Sequence, residues 1–141
     1  LVEAYEMDSN TTRLVNISTR GRVGTVNEPM IGGLIALGEG TKKVIIRALG
    51  PSLGTGTNGV NGALADPMLE LRDASGNLLA VNDDWGTSSQ VSEILASTIP
   101  PVNPLESAIV ATLGAGNYTA IVRGVDGVSG VALVEVFDLD P

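Results

Sequence analysis

The sequence predicts an all-β fold, a jelly-roll-like β-sandwich of about eight or nine short strands with one short helix near residues 88–97. Glycine occurs 18 times in 141 residues, which is typical of a chain with many turns. Apolar residues make up 43% of the chain and aromatic residues only 3%, so the predicted core is aliphatic. This length suits one hydrophobic core, and we expect a single domain over residues 1–141.

The strands are predicted from short β-rich segments that are separated by turn signals. The strongest segment contains Val44, Ile45 and Ile46 in succession, which predicts burial on both faces of a sheet. Glycine-containing turn signals at residues 73–76 and 114–117 each predict a hairpin. The predicted strands cover residues 13–18, 30–37, 42–49, 68–72, 77–81, 105–113, 118–123 and 131–139.

One segment has the spacing of an amphipathic helix. Within residues 88–97, the apolar side chains of Val91, Ile94 and Leu95 fall on one helical face. Ser88 or Ser89 is the predicted N-cap, because a serine hydroxyl accepts hydrogen bonds from the first free amides of a helix. The two prolines that follow prevent the helix from continuing.

Charge and composition exclude several classes of function. The chain has 8 basic and 16 acidic side chains, a net charge of −8, and no His or Cys. Imidazole catalysis, thiolate chemistry and disulfides are therefore excluded. So few cations predict no nucleic-acid partner, and no apolar run is long enough to predict membrane insertion. We expect a protein that is not an enzyme and has no catalytic residues.

The two ends of the chain match each other. Residues 1–8 (LVEAYEMD) align with residues 133–140 (LVEVFDLD), with four of the eight positions identical and the others similar in character. The two segments start at residues 1 and 133 and are therefore 132 residues apart. Such a match indicates that the chain is one unit of a tandem or polymeric series. The alternative is two edge strands with similar facing requirements. The residues predicted to contact a neighbouring unit are Leu1, Val2, Ala4, Tyr5 and Met7.

Several stretches carry a resemblance to known bacterial domains. Residues 66–84 resemble the central hairpin of pre-peptidase C-terminal domains, and residues 113–122 are similar to the penultimate strand of that family. Over most of its length the chain resembles a tandem extracellular repeat of environmental bacteria. The motifs that recur there in order are at residues 13–21, 46–53 and 82–85. This resemblance implies a jelly-roll-like sandwich, secretion and a non-catalytic role, although residues 86–104 form an insert that simpler members lack.

The acidic residues offer one candidate metal site. Asp83 and Asp84 follow a predicted strand, Asp66 lies at a neighbouring loop end, and Glu106 begins a later strand. Ca²⁺ prefers six to eight oxygen ligands of this kind, and the resemblance implies calcium at comparable loops. The alternative is that these residues only form turns and cap strand ends. No other cofactor is expected.

Two further residues suggest specific packing. Arg47 interrupts an apolar strand, so it either reaches the surface or pairs with a buried acid, Glu70 or Glu135, and we favour the ion pair. Trp85 is the only tryptophan and is interpreted as a hydrophobic plug over one end of the sandwich.

These observations favour a bacterial extracellular or cell-surface protein whose partners are copies of itself. The predicted function is a non-catalytic structural repeat or subunit that associates end to end into a filament or tandem array. The alternative is a calcium-dependent carbohydrate- or surface-binding adhesion module attached to a larger secreted protein. A third reading is an accessory domain of an enzyme.

Overall fold

The computed structural model describes residues 15–57 and 59–140 of the chain. Within these ranges it contains six strands, one short α-helix and three short 3-10 turns. The strands are β1 (Asn16–Val23), β2 (Met30–Leu49), β3 (Pro67–Asp73), β4 (Leu78–Asn82), β5 (Ser107–Gly124) and β6 (Gly130–Asp138). The helix α1 spans Val91–Ala96, inside the segment predicted to be helical.

All six strands belong to one antiparallel sheet with the order β1-β6-β2-β5-β3-β4. The first half of β2 pairs only with β5, whereas its second half lies between β5 and β6. In the same way, only the second half of β5 pairs with β3. The two long strands therefore contribute to two layers, and a Cβ at Gly32 in one layer would lie 3.2 Å from Val134 Cγ1 in the other. The prediction of an all-β sandwich is confirmed.

The sandwich has fewer strands than predicted, because two predictions are wrong: residues 114–117 do not form a hairpin, and the strands predicted at residues 30–37 and 42–49 are one strand. Strand β5 continues through Gly114 and Gly116, and β2 continues past Gly38 and Gly40. The register shifts between Ala36 and Thr41, so β2 has a bulge here. Glycines at such a bulge let two long strands bend together, which a sequence pattern does not distinguish from a turn.

The principal core lies between the two layers and is aliphatic, as predicted, with side chains of β2, β3, β5 and β6. Val44 and Ile46 face this core, whereas Ile45 faces a second cluster with Ile94, Ala108 and Val110. The predicted burial of this strand on both faces is confirmed, since Ile45 and Ile46 are both fully buried. Each such side chain stabilises the fold by roughly 1.5–3 kcal/mol.

The second cluster is covered by the insert at residues 86–104, which carries α1. Trp85 packs against this cluster, outside the core between the two layers, so its role as a plug over one end of the sandwich stays a prediction. Its indole Nε1 donates to Asn103 O at 3.0 Å. The N-cap of α1 is Gln90 and not Ser88 or Ser89. Ser88 Oγ instead accepts a hydrogen bond from the Gln90 backbone amide in the preceding turn.

The side chain of Gln90 protects an edge of the sheet. Its Nε2 donates to Val110 O at 2.7 Å, and its Oε1 accepts from Val110 N at 3.2 Å. The carboxamide thus makes the two hydrogen bonds that a neighbouring strand would make, along a part of β5 that β3 does not reach. Asn82 continues this pattern, because its Oδ1 accepts from Ala108 N at 2.8 Å.

We expect Gln90→Ala to lower the free energy of unfolding by about 1–3 kcal/mol, because it leaves two backbone groups of Val110 without partners. Urea unfolding followed by Trp85 fluorescence measures the change. Ser89→Ala is the control, since Ser89 is exposed and adjacent in sequence. Equal stability of the two variants would show that the Gln90 carboxamide does not protect this edge.

Candidate functional site

Four aspartates meet at one end of the sandwich. Asp66 precedes β3, Asp83 and Asp84 follow β4, and Asp126 lies in the turn after β5. Antiparallel pairing brings these strand ends together, and the amide of Val125 donates to Asp66 O at 3.0 Å. Sequence reasoning found three of the four and missed Asp126. The available signal was the Asp126-Gly127 pair directly after a strand, where Asp126 has a left-handed φ of 54°.

The carboxylates of this cluster repel one another. Burial raises the pKa of Asp66, and the charges of Asp83, Asp84 and Asp126 raise it further. Burial likewise raises the pKa of Asp83, with additional contributions from Asp84 and Asp126. Within the described ranges, Asp66 Oδ1 and Asp84 Oδ1 are buried without a hydrogen-bond partner. The cluster therefore contains oxygen atoms that a bound cation would stabilise.

A shallow cavity of about 250 Å³ adjoins the cluster. Asp83 and Asp126 line it together with Met68, Arg123 and the turn at residues 24–26. Arg123 Nη1 donates to Val26 O at 2.7 Å, which holds this turn against the end of β5. No set of three or more acidic side chains in the described part of the chain already has the arrangement of a metal site. Cation binding here would require the loops to adjust.

Glu106, the fourth predicted ligand, has a different set of partners. Its carboxylate is fully buried and accepts hydrogen bonds from the amides of Gly50 at 3.1 Å, Ser52 at 3.0 Å and Asn103 at 3.2 Å, and from Ser52 Oγ. These bonds fasten the turn after β2 to the insert. The structure therefore places Asp66, Asp83 and Asp84 in one cluster and gives Glu106 a structural role outside it.

A second specific arrangement fastens β6 to β2. Arg47 Nε donates to Glu135 Oε2 at 3.1 Å, Nη2 donates to the same oxygen, and Nη1 donates to Ile99 O at 2.7 Å. The guanidinium also lies over the ring of Phe137, 4.8 Å from its centroid. The predicted ion pair of Arg47 is confirmed with Glu135, whereas Glu70 pairs with Arg72.

The end of β6 carries further charged contacts. Lys42 Nζ lies 3.1 Å from an Asp138 carboxylate oxygen and 3.9 Å from one of Asp140. Asp140 Oδ2 also accepts from the backbone amide of Lys43 at 2.7 Å. Polar contacts to β2 therefore extend from Glu135 in β6 to Asp140, two residues after the end of that strand. We call this set of contacts the closing seam.

The residues predicted to contact a neighbouring unit, Leu1, Val2, Ala4, Tyr5 and Met7, lie outside the described residues. The segment that they resemble is nevertheless described, because residues 133–140 contain most of β6. Strand β6 lies inside the sheet, between β1 and β2. The alternative that two edge strands share similar requirements does not fit this position.

The fold defines a class of protein, an antiparallel sandwich like that of pre-peptidase C-terminal domains. A crystal structure of such a domain, from the collagenase of Bacillus anthracis, superposes with a TM-score of 0.52. The two chains are 14% identical, and the similarity covers 86% of this chain and 89% of that one. At this identity the similarity concerns the fold alone.

Neither a protein-family model nor a curated protein matches this chain. In the described ranges, no helix has the length and apolar character needed to cross a membrane.

Proposed function

We propose that the chain is a non-catalytic, extracellular structural repeat of bacterial origin that associates with copies of itself, in a filament or a tandem array. The carrying observation is the match between residues 1–8 and residues 133–140. Most of residues 133–140 lie in β6, which has strands on both sides, so the sequence of this segment suits a strand inside the sheet. Residues 1–8 have the same pattern, and the position that suits this pattern is the one that β6 occupies in another copy.

Removal of residues 1–8 tests this proposal. We expect sedimentation velocity and electron microscopy to show concentration-dependent multimers of the full chain, and only monomers of a chain that begins at residue 9. The control is the full chain with Glu39→Gln, which removes one negative charge at an exposed site and leaves residues 1–8 in place. Identical multimers with and without residues 1–8 would contradict a role of this segment in association.

A calcium-dependent adhesion module of a larger secreted protein is the second candidate. The observation in its favour is the aspartate cluster, with two buried carboxylate oxygens that lack partners. Calorimetric titration with CaCl₂ tests it. We expect heat of binding that is lost in Asp83→Asn and Asp84→Asn and retained in Glu39→Gln. Absence of binding to the unmodified chain would remove this candidate.

The aspartate cluster also makes a prediction about pH. The pKa of Asp83 is raised above its ordinary value of 3.8, so the folded state binds protons more tightly than the unfolded state. The free energy of unfolding therefore falls as the pH rises from this value through the folded-state pKa. Without calcium, we expect Asp83→Asn to raise the urea midpoint at neutral pH and to change it little near pH 3.8. If the gain in stability of Asp83→Asn did not vary with pH, it would not come from the raised pKa of Asp83.

A further inference from the structure

We propose that residues 1–8 are the closing strand of a preceding copy of this fold, in which they occupy the position that β6 occupies here, between β1 and β2. This inference rests on the proposed self-association and specifies its contact. It differs from simple addition of a strand to a free sheet edge, because the contacts of the closing seam need acidic side chains at fixed positions of the strand.

The charged contacts of the closing seam can all be made by residues 1–8. Glu3 corresponds to Glu135, which receives the hydrogen bonds of Arg47. Glu6 corresponds to Asp138 and Asp8 to Asp140, the two carboxylates near Lys42. Each acidic residue that contacts β2 therefore has an acidic counterpart at the same spacing.

The apolar side chains of the segment follow the two faces of β6. Val134 and Val136 contact the principal core, and Phe137 and Leu139 contact the second cluster. Their counterparts are Val2 and Ala4 on one face and Tyr5 and Met7 on the other. An aromatic ring is thus retained at the position that lies over Arg47.

The free edge along the first half of β2 fits the segment less well than the β6 position does. Among the described residues, the side of the first half of β2 (residues 30–36) that faces away from β5 pairs with no strand. This stretch, MIGGLIA, has no charged side chain. It offers no cation to Glu3, Glu6 or Asp8, whereas the second half of β2 offers Arg47 and Lys42 at the matching positions.

The position of β1 shows how consecutive copies would connect. Asn16, the first residue of β1, pairs with Phe137 near the end of β6, so the strand that opens a copy and the strand that closes it meet at one corner. Seven residues, 9–15, separate the segment from β1 and span at most about 25 Å. Consecutive copies in one polypeptide would therefore be joined corner to corner at intervals of 132 residues, from residue 1 to residue 133. In separate chains, the segment would compete with each neighbour's own β6.

A graft of the segment into the β6 position tests this inference. The chain starts at residue 9, ends at residue 140, and carries Val136→Ala, Phe137→Tyr, Asp138→Glu and Leu139→Met, so that its last eight residues are those of residues 1–8. We expect cooperative urea unfolding and the Trp85 emission of the unmodified residues 9–140. A second graft keeps Val136, in case the smaller alanine leaves a cavity that prevents folding. The control ends in the same eight residues in reverse order, which has the same composition but the wrong spacing.

Folding of either graft, with the reversed control unfolded, supports the inference. Grafts that are both unfolded, or no more stable than the reversed control, overturn it. The graft needs no second copy, so its result is separate from that of the association experiment. If a graft folds but the full chain forms no multimers, the self-association of separate chains is contradicted and the β6 position is not. If the full chain forms multimers but neither graft folds, the β6 position is contradicted and self-association is not.

Discussion

Replacement of Glu106 by alanine is expected to lower the free energy of unfolding by about 3–5 kcal/mol, among the largest effects expected of a single change in the described part of the chain. The carboxylate accepts hydrogen bonds from the amides of Gly50, Ser52 and Asn103 and from the Ser52 hydroxyl, and it is fully buried. A buried donor left without its acceptor costs about 1–3 kcal/mol, and partial entry of water offsets some of the sum.

Urea unfolding followed by Trp85 fluorescence measures this effect, because the indole donates to Asn103 O beside the Glu106 carboxylate. Glu39→Ala is the matched control at an exposed acid, and we expect it to change the free energy of unfolding by less than about 0.5 kcal/mol. A Glu106→Ala variant as stable as this control would show that the carboxylate does not fasten the turn after β2.

Loss of Arg47 is the second large effect. We expect Arg47→Met to lower the free energy of unfolding by about 2–4 kcal/mol, because it leaves Glu135 and the carbonyl of Ile99 without their donor. Both partners are largely buried, with side-chain exposures of 14% for Arg47 and 12% for Glu135. The pair is therefore screened by water much less than an exposed pair.

A double-mutant cycle with Glu135→Gln separates the pair from its surroundings. We expect the two changes together to cost less than the sum of the single changes. The exposed pair of Lys43 and Glu93, 3.1 Å apart, provides the comparison, with an expected coupling of about 0.2–1 kcal/mol. Equal coupling in the two pairs would contradict the special role of Arg47 in the closing seam.

The sequence was most informative where burial is strongest. Three successive apolar residues predicted that Val44, Ile45 and Ile46 are covered on both faces, and the layered core confirms this. The glycines at residues 114–117 were misleading, because a glycine that allows a strand to bend has the same local signature as one in a turn. That difference is decided by the partner strand and its bulge, which are distant in sequence.

The candidate site was only partly predictable for the same reason. Asp66, Asp83 and Asp84 border predicted strands, so their proximity followed from antiparallel pairing. Asp126 joins them through the end of β5, and the buried Glu106 turns to amides more than 50 residues away in sequence. An acidic residue at a strand end does not reveal whether its partners are water, a cation or backbone amides.

The most direct test of the tandem-repeat account is a polypeptide of two consecutive copies of residues 9–140, which keeps the spacing between residues 1 and 133. We expect both copies to fold, with the urea midpoint of a single copy, and small-angle X-ray scattering to show two globular bodies. Aggregation of the two-copy protein, or a markedly lower urea midpoint than that of one copy, would contradict the account.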